Sequence, residues 1–415
     1  MTYSGDRERQ LQLARDHERD ARIRQRRTAA EAIRRRLVAH LAAGGTTDFA
    51  TGMLENDPAC YTDRARADLE RQELFLKLPL VAGLSCDVPS AGDCLVFEDA
   101  GPSILIVRGA DGMVRGFLNM CMHRASKLVA APTDGTCAHH TRLSCPFHAW
   151  TYDLSGALVG VPGRAGFDGL DPGARHLVPV PVAEWNGIIF VRAAAGSEPP
   201  GIPAFLGSFA GELQHIDFAD AAPIRHSRLA ADCNWKVALD TYAEGYHFAT
   251  LHASSIGVSH YSNVAVFDEF GPHWRMNFPE KELRALVNVP ESEWPEVAYG
   301  GIHFVFPNTV MVVGALGEGR AFVRMFRLFP GETSGTMSCR IDVYDIGGQA
   351  DERRLAVFGQ DDAESSVTRE DYQIAVDGYR NLVSAPPGFR LVYGRNEPAL
   401  QSVHRHIAAA LGTSL

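Results

Sequence analysis

Two short segments of the chain each carry a cysteine and a histidine within four residues. They read Cys121-Met-His123 and Cys145-Pro-Phe-His148. Thiolate and imidazole are the soft and borderline ligands that zinc and iron–sulfur centres take. Because the members of each pair are close in sequence, one loop can present both side chains to a metal. The pairs predict a metal site, against the alternative of buried cysteines beside unrelated histidines.

The spacing distinguishes two kinds of metal site. Zinc sites usually pair C-x2-C with H-x3-5-H, or use four thiolates. Here each loop supplies one cysteine and one histidine, and a Rieske cluster needs this set: two cysteines hold one iron and two histidines the other. The His-Arg after the first pair and the Cys-Pro-aromatic-His-x-Trp run at the second resemble Rieske proteins closely. The resemblance implies a [2Fe-2S] cluster on Cys121, His123, Cys145 and His148, with zinc as the alternative.

The gap between the two pairs is longer than most Rieske proteins have. The extra length suggests an inserted loop at residues 133–140. The insert brings Cys137, His139 and His140, which we do not expect to be ligands because the family spacing does not include them.

Three substitutions also depart from the Rieske pattern. Ala125 and Ala149 stand where glycine is usual, and Phe147 occupies a position that is often tyrosine. A tyrosine hydroxyl near a cluster sulfur can donate a hydrogen bond that helps to set the reduction potential. Phenylalanine cannot donate, so we expect a lower potential than a tyrosine at residue 147 would give.

A second pair of histidines lies in the segment NWKVALDTYAEGYHFATLH, residues 234–252. His247 and His252 are five residues apart, which on a regular α-helix, at about 100° per residue, places them roughly 140° apart around the axis. They can share one ion only if the helix ends or widens locally, as π-bulges at functional sites do. Spacing alone leaves both a metal pair and two ordinary histidines open.

The surroundings of these histidines resemble the catalytic domain of Rieske non-haem iron oxygenases. The matching residues are Asn234-Trp235-Lys236, Glu244-x-Tyr246-His247 and His252. In that family two histidines and one later aspartate bind Fe(II) and leave positions open for O2. The resemblance covers about residues 60–411 and implies that His247 and His252 are iron ligands.

The resemblance also implies a role for Glu244, which otherwise reads as a solvated helix carboxylate. In family trimers this carboxylate links a Rieske histidine of one subunit to an iron histidine of its neighbour; by position these are His148 and His247. A carboxylate can accept a hydrogen bond from the free N–H of each imidazole and so fix both rings.

The third iron ligand matches Asp371 in the family pattern. The segment REDYQIAVDGYRNL, residues 369–382, resembles the closing helix of the family. Ile374, Ala375, Gly378 and Leu382 follow Asp371 at helical spacing, which predicts a core-facing stripe where an unpaired carboxylate is costly. Asp361 and Asp362 are the competing candidates.

The elements that must position these residues read as an α+β fold. We expect an all-β Rieske domain and a helix-grip catalytic domain with an antiparallel sheet, preceded by a charged helical arm. The expected division is 1–50 for the arm, 51–79 for the first part of the catalytic domain, 80–195 for the Rieske domain and 196–415 for the rest of the catalytic domain. Helices are expected at residues 5–45, 235–251, 351–381 and 399–411. Strands are expected at 103–108, 114–119, 187–192, 302–306, 310–313 and 320–328.

Arginines lie on all sides of the helix predicted for residues 5–45, so the helix has no apolar stripe that is free of them. This pattern predicts a solvated or subunit-packing arm, with an arm for an anionic partner as the alternative.

Composition limits the class of protein. The 415 residues carry a net charge of −10, which argues against a nucleic-acid-binding body. No run reaches the roughly 18–20 apolar residues of a membrane span, and the charged start is not a signal peptide. We therefore expect a cytoplasmic protein, in which disulfides among its eight cysteines are rare.

The expected function is that of a terminal oxygenase. The resemblance implies electrons from NAD(P)H through a separate reductase or ferredoxin, since no flavin- or nicotinamide-binding motif is present. They pass through the Rieske cluster to the mononuclear Fe(II), where O2 is activated to hydroxylate or oxidatively demethylate a small organic substrate. Apolar pocket strands at residues 303–306 and 310–313 favour an apolar or aromatic substrate.

Other assignments stay open at this stage. The Glu-Gly-Tyr-His motif resembles that of stand-alone monooxygenases, including quaternary-amine ones. A cis-dihydroxylating arene dioxygenase alpha subunit has the same metal ligands and stays the alternative. A Rieske electron carrier and a zinc-bound interaction module are the alternatives from other classes. The resemblance implies a homotrimer, with or without a beta subunit.

Overall fold

The structure is a computed structural model that describes residues 3–131, 137–317, 320–347 and 367–414. Its α-helices are α1 Tyr3–Ala42, α2 Ala59–Thr62, α3 Arg64–Glu70, α4 Ile202–Leu206, α5 Phe209–Gln214, α6 Trp235–Asp240, α7 Ile256–Ser259, α8 Tyr372–Val383 and α9 Pro398–Leu411. Its strands are β1 Leu54–Asn56, β2 Leu80–Leu84, β3 Asp93–Phe97, β4 Ile104–Arg108, β5 Val114–Leu118, β6 Ala138–His139, β7 Leu143–Ser144, β8 Thr151–Tyr152, β9 Leu158–Gly160, β10 Pro179–Val180, β11 Val182–Trp185, β12 Ile188–Val191, β13 Ala221–Ala231, β14 Val266–Phe270, β15 His273–Asn277, β16 Gly301–Val305, β17 Thr309–Gly317, β18 Arg320–Pro330, β19 Met337–Ile346 and β20 Leu391–Tyr393.

Strands β2 to β12 form three small antiparallel sheets. Their orders are β10-β5-β4-β3-β6, β11-β12-β2 and β7-β8-β9. The strands are rich in branched aliphatic residues that suit a pleated surface, and β3 and β4 are buried along almost their whole length. The strands predicted at 103–108, 114–119 and 187–192 are confirmed as β4, β5 and β12.

The larger sheet has seven antiparallel strands in the order β13-β19-β18-β17-β16-β15-β14. Buried aromatic and aliphatic side chains fill both of its faces, so it is the scaffold of the second half of the chain. Its edge strands are β13, where the register shifts between Pro223 and Arg225, and β14, against which α1 and α9 pack. An α+β fold with this antiparallel sheet agrees with the expected fold class.

The helix predicted for residues 235–251 is much shorter than expected. Asn234 caps α6 by accepting a hydrogen bond from Lys236 N at 3.0 Å, and the helix ends at Asp240. Asp240 is bound there by Tyr61 Oη and His404 Nε2. Residues 241–255 then run as turns, so the prediction was wrong beyond residue 240, and the chain is free to bring His247 and His252 together.

The second half of α1 is not a solvated arm. From residue 30 onward one face of the helix is buried, through Ala30, Ile33, Leu37 and Leu41. Arg36 pairs with Asp268 of β14 and with Asp48, at 2.7 and 2.6 Å. The solvated-arm prediction was wrong for this half because three of its arginines are fixed by the chain's own carboxylates and carbonyls rather than by water.

Residues between α1 and β2 contact the second half of the chain. β1 pairs with β20, and the carboxylate of Glu70 at the end of α3 accepts hydrogen bonds from Lys236 Nζ at 2.6 Å and Trp235 Nε1 at 3.0 Å. The Trp-Lys part of the Asn-Trp-Lys motif therefore anchors α6 to α3 through a buried ion pair. Breaking one partner of such a pair is costly because the other charge stays buried.

Among the described residues, no helix is both long enough and apolar enough to cross a membrane.

Candidate metal centres and active-site cavity

The first ligand set lies on two loops with the same backbone hydrogen bonds. In the first loop Cys121 N donates to Ser126 O and Ala125 N donates back to Cys121 O, both at 2.9 Å. In the second loop Cys145 N donates to Trp150 O at 2.8 Å and Ala149 N to Cys145 O at 2.9 Å. The two loops thus present a cysteine at the same position, although their histidines differ by one residue in spacing.

The two thiols of this set are buried in different electrostatic surroundings. Burial raises the pKa of Cys121, and the Tyr152 hydroxyl at 3.5 Å from its Sγ opposes that rise. At Cys145 burial also acts to raise the pKa, but the backbone N–H groups of Phe147 and His148, together with the side chains of Cys121 and Ser126, outweigh it and the pKa is lowered. Donors that favour thiolate are what a metal-binding cysteine needs.

The two histidines of the set lie beside each other. The ring centroids of His123 and His148 are 4.8 Å apart, and His123 stacks on Trp150 at 4.8 Å. His123 Nδ1 is buried and has no hydrogen-bond partner among the residues that the structure describes, which is unusual for a histidine unless a metal takes that position. His148 is exposed and lies against the ring of Phe147, itself 54 % exposed.

The described residues of the insert that could bind a metal are Cys137, His139 and His140. His139 pairs with Asp93 at 2.8 Å, and Cys137 is exposed. The expectation that neither is a ligand stays a prediction, as does the one for His140.

The second ligand set brings together residues from two distant segments. His247 and His252 lie on the turns after α6, and Asp371 is the last residue of a π-helical turn, Val367–Asp371. One ligand atom from each lies within 4.8 Å of the others. Asp371 Oδ1 is 3.0 Å from His252 Nε2 and 3.6 Å from His247 Nε2.

Two carboxylates orient the imidazole rings by accepting hydrogen bonds from their Nδ1 atoms. Glu244 accepts a hydrogen bond from His247 Nδ1, and Glu370 accepts one from His252 Nδ1. Ser255 Oγ also donates to Glu370, at 3.0 Å. With both Nδ1 atoms engaged, the two Nε2 atoms are left facing Asp371, the arrangement in which metal-binding histidines are usually held.

Sequence reasoning missed Glu370, and its only signal was adjacency to Asp371. It was also only partly right about the helix that follows. Ala375 is buried as predicted, but Ile374 is 54 % exposed, and Tyr372 and Tyr379 form the rest of the buried face of α8. The candidates Asp361 and Asp362 lie outside the described residues.

The buried donor atoms fit a divalent metal. His252 Nε2 and Asp371 Oδ1 are buried, face each other at 3.0 Å, and make no hydrogen bond to any other group in the described part of the chain. An unsatisfied buried carboxylate oxygen is costly, and a cation shared with two imidazole nitrogens removes that cost. Two histidines and one carboxylate are the facial set typical of non-haem Fe(II).

A cavity of about 810 Å³ opens beside these three residues. Its wall combines the ligands with apolar side chains, including Phe248, Phe278 and Phe326. The cavity is largely apolar, as expected, but the residues that line it differ in part from the predicted ones. Val312 and Val313 line the cavity, whereas residues 303–306 do not; of β16, Gly301 and Ile302 do. Side chains alternate along a strand, so His303 and Val305 face the opposite side.

Family comparisons agree with this geometry. Residues 79–180 match the family described as the Rieske [2Fe-2S] domain. Residues 218–413 match the family described as the ring hydroxylating alpha subunit, catalytic domain. The fold and the two ligand sets define a two-domain iron protein, and the chain combines a Rieske domain with the catalytic domain of the ring hydroxylating alpha subunits. This pair of domains implies a Rieske cluster and a mononuclear iron as cofactors.

The chain is similar to oxygenase subunits of two substrate types. It is 33 % identical over 192 residues to a glycine betaine monooxygenase oxygenase subunit of Pseudomonas aeruginosa, covering 46 % of this chain and 43 % of the relative. It is 28 % identical to the Escherichia coli carnitine monooxygenase oxygenase subunit, covering 48 % and 54 %. It is 32 % identical to the biphenyl 2,3-dioxygenase subunit alpha of Rhodococcus jostii, covering 50 % and 45 %. The matches span about half the length of these relatives.

Solved structures show the same fold over most of the chain. The quaternary ammonium Rieske monooxygenase CntA, in complex with L-carnitine, superposes with a TM-score of 0.71 over 88 % of this chain and 96 % of its own, at 18 % identity. Naphthalene 1,2-dioxygenase with bound indole gives 0.65 over 87 % and 93 %, at 18 % identity.

Proposed function

We propose that this chain is a terminal oxygenase that uses O2 to hydroxylate, or oxidatively demethylate, a small organic substrate. The observation that carries the proposal is the convergence of His247, His252 and Asp371, with both imidazoles oriented by carboxylates, in the wall of a largely apolar cavity. When bound, the Rieske cluster would supply single electrons and the mononuclear iron would supply O2 activation.

In this proposal the chain's own residues hold and orient the two centres. Cys121, Cys145, His123 and His148 hold the cluster. His247, His252 and Asp371 hold the iron. Glu244 and Glu370 keep the two iron histidines in the tautomer that presents Nε2, and the phenylalanines of the cavity exclude water from the reacting face.

The electron path in this proposal runs between subunits. His148 is exposed, as a histidine that meets a neighbouring subunit must be, and Glu244 already holds His247. Glu244 of one subunit would then accept a hydrogen bond from His148 of the next in a homotrimer. A separate reductase or ferredoxin, fed by NAD(P)H, would deliver electrons to the cluster.

The proposed domain division keeps the boundaries at 50, 79 and 195. Pairing of β1 with β20, and of Glu70 with Lys236, supports the assignment of residues 51–79 to the catalytic domain.

Metal and acid-labile sulfide analysis tests the proposal directly. We expect a red-brown protein with three iron and two sulfide per chain, and zinc without sulfide contradicts it. A protein with the cluster iron only would be the electron carrier.

The ligand assignment is tested by Asp371→Ala. This variant should lose the mononuclear iron while the Rieske absorbance is unchanged. Asp377→Ala, at an exposed position of α8, is the matched control and should keep all three irons. Loss of iron in both variants, or in neither, rejects Asp371 as the ligand.

Mono-oxygenation is the proposed outcome, and the similarity to a biphenyl dioxygenase alpha subunit keeps cis-dihydroxylation as the second candidate. Turnover of a substrate panel under 18O2 separates them, since mono-oxygenation places one labelled atom in the product and dihydroxylation places two.

A further inference from the structure

The helix α1 forms part of the wall of the active-site cavity. Ala30, Ile33, Arg34 and Leu37 line the cavity together with His247, His252 and Asp371. Residues three and four apart lie on one face of a helix, so these four make one continuous surface. Neither family match includes this segment, which ends before residue 79.

Arg34 is the buried cation of that surface. Its side chain is only 7 % exposed, its guanidinium lies over the Trp294 ring at 5.2 Å, and Nη1 donates to Pro295 O. Nε is buried and has no hydrogen-bond partner among the described residues. Burial lowers the pKa of Arg34, against the influence of Glu31 and Glu291.

The nearby carboxylates are already engaged by other arginines. Glu31 pairs with Arg27 at 3.1 Å, and Glu291 binds the Nε of Arg35. Arg34 itself forms no ion pair with a carboxylate in the part of the chain that the structure describes. A buried guanidinium without a counter-ion is costly, and a ligand carboxylate with its two oxygens matches the donor geometry of arginine.

Apart from the carboxylates of the iron site, the other charged groups of the cavity are more exposed than Arg34. Glu280, Glu282 and Glu296 also line it, but all three are exposed and therefore hydrated. Arg324 lines it with its guanidinium over the Phe322 ring, 5.3 Å from Cζ to the centroid. The glutamates therefore form a hydrated rim, and Arg34 is the charge placed to bind a desolvated group.

We propose that Arg34 is a specificity residue that binds the carboxylate of the substrate, so that this enzyme acts on apolar molecules carrying a carboxylate group. The inference rests on the proposed oxygenase function, since it identifies the cavity as the substrate site. α1 thereby supplies substrate recognition in addition to packing.

Binding to the intact holoenzyme, measured anaerobically by calorimetry, tests the inference without turnover. The probes are a series of ω-phenylalkanoates from phenylacetate to 5-phenylpentanoate, each with its primary amide as a neutral counterpart. 3-Phenylpropyltrimethylammonium is the cationic probe. At least one carboxylate should bind about tenfold or more tightly than its amide, as expected for a charge-assisted pair with arginine.

Three variants identify the residue. Arg34→Gln should remove the preference for carboxylate over amide while leaving the amide affinity unchanged, and Arg34→Lys should keep part of it. Arg35→Gln, next in sequence but exposed and paired with Glu291, is the matched control and should bind as the wild type does.

Two results overturn the inference: equal affinity of carboxylates and amides for the wild-type protein, or tighter binding of the ammonium probe. A preference that survives in Arg34→Gln also overturns it. Iron and sulfide analysis of the same samples shows separately whether the proposed oxygenase function fails.

Discussion

Ala125 and Ala149 show why the Rieske pattern has glycine at their positions. Both have a positive φ, of 60° and 54°, in the left-handed region that costs an L-residue roughly 1–2 kcal/mol. Each closes its ligand loop by donating a backbone hydrogen bond to the cysteine carbonyl. The sequence shows only that alanine stands where glycine is usual, whereas the backbone shows that glycine is favoured there for its conformation.

We expect Ala149→Gly to stabilise the protein. Relief of the left-handed strain exceeds the extra chain entropy of glycine, for a net gain of about 0.5–1 kcal/mol. Calorimetric unfolding of the holoenzyme measures it. Ala32→Gly, at an exposed position inside α1, is the control and should destabilise the protein by about 1 kcal/mol. If Ala149→Gly also destabilises the protein, the strain argument is wrong.

Tyr152 is the residue whose hydroxyl contacts a ligand sulfur, and burial raises its pKa so that it stays protonated and able to donate. Tyr152→Phe should therefore lower the reduction potential of the cluster, because it removes a donor that stabilises the reduced, more negative state. Voltammetry of the wild type and the variant measures the change in reduction potential.

The earlier expectation for Phe147 supplies the comparison for Tyr152. Phe147 is exposed, so Phe147→Tyr should raise the potential by less than Tyr152→Phe lowers it. An unchanged potential in Tyr152→Phe would show that the hydroxyl contact has no effect on the cluster.

Residue types and spacing indicated the first ligand set, because few chemistries need one cysteine and one histidine per loop, whereas the second set needed the family resemblance; both assignments stay predictions. Residue types and spacing were not enough to find Glu370 or Tyr152. Each acts through a contact made only in the folded chain: Glu370 reaches His252 across 118 residues, and Tyr152 reaches Cys121 across 31.

At the scale of elements, the errors have one source: sequence pattern does not show where tertiary contacts stop or bury a helix. α6 ends at Asp240 because Tyr61 and His404 bind that carboxylate. α1 is half-buried although arginines surround it, since long arginine side chains can reach carboxylates over an apolar face. The short strands β4, β5 and β12 were predictable because their apolar runs are bounded by turn residues.

The seven-stranded sheet holds two buried histidines, His273 and His303, that should make the fold acid-sensitive. Burial lowers the pKa of His303 to about 3 and that of His273 to about 4. The unfolded chain binds these protons at its ordinary pKa near 6.5, so stability is full above that pH and falls as pH drops from about 6.5 towards 3.

As pH falls from 6.5 to 5, each buried histidine should lower the free energy of unfolding by up to roughly 2 kcal/mol. Denaturant unfolding at a series of pH values measures the slope. His303→Gln, which keeps a donor for Tyr299 Oη because the proton of that hydroxyl goes to Glu212, should flatten the slope. The same substitution at the exposed His176 should not, and equal slopes in all three proteins would rule out the buried histidines as the cause.

For the whole molecule, the proposed bridge predicts a trimer whose turnover depends on Glu244. Glu244→Gln should keep three irons, two sulfides and the trimer, but lose most turnover because an amide cannot accept from both imidazoles. Sedimentation, metal analysis and O2 consumption measure these quantities. Glu397→Gln, at a half-buried carboxylate outside both ligand sets, is the control, and wild-type turnover in Glu244→Gln shows that the bridge is not needed.

The two edges of the seven-stranded sheet are closed by different means. At β13 a proline interrupts the register, and Arg228 is held by Asp99 from the Rieske half of the chain. At β14 two helices lie against the strand, and Asp268 and Glu269 are bound by arginine and serine side chains. Among the described residues, the proline at β13 and the two helices at β14 shorten or cover the row of free backbone groups that another chain's strand needs in order to add to a sheet. Both edges should therefore be poorer templates for strand addition by another copy of this subunit than an open, uninterrupted edge would be.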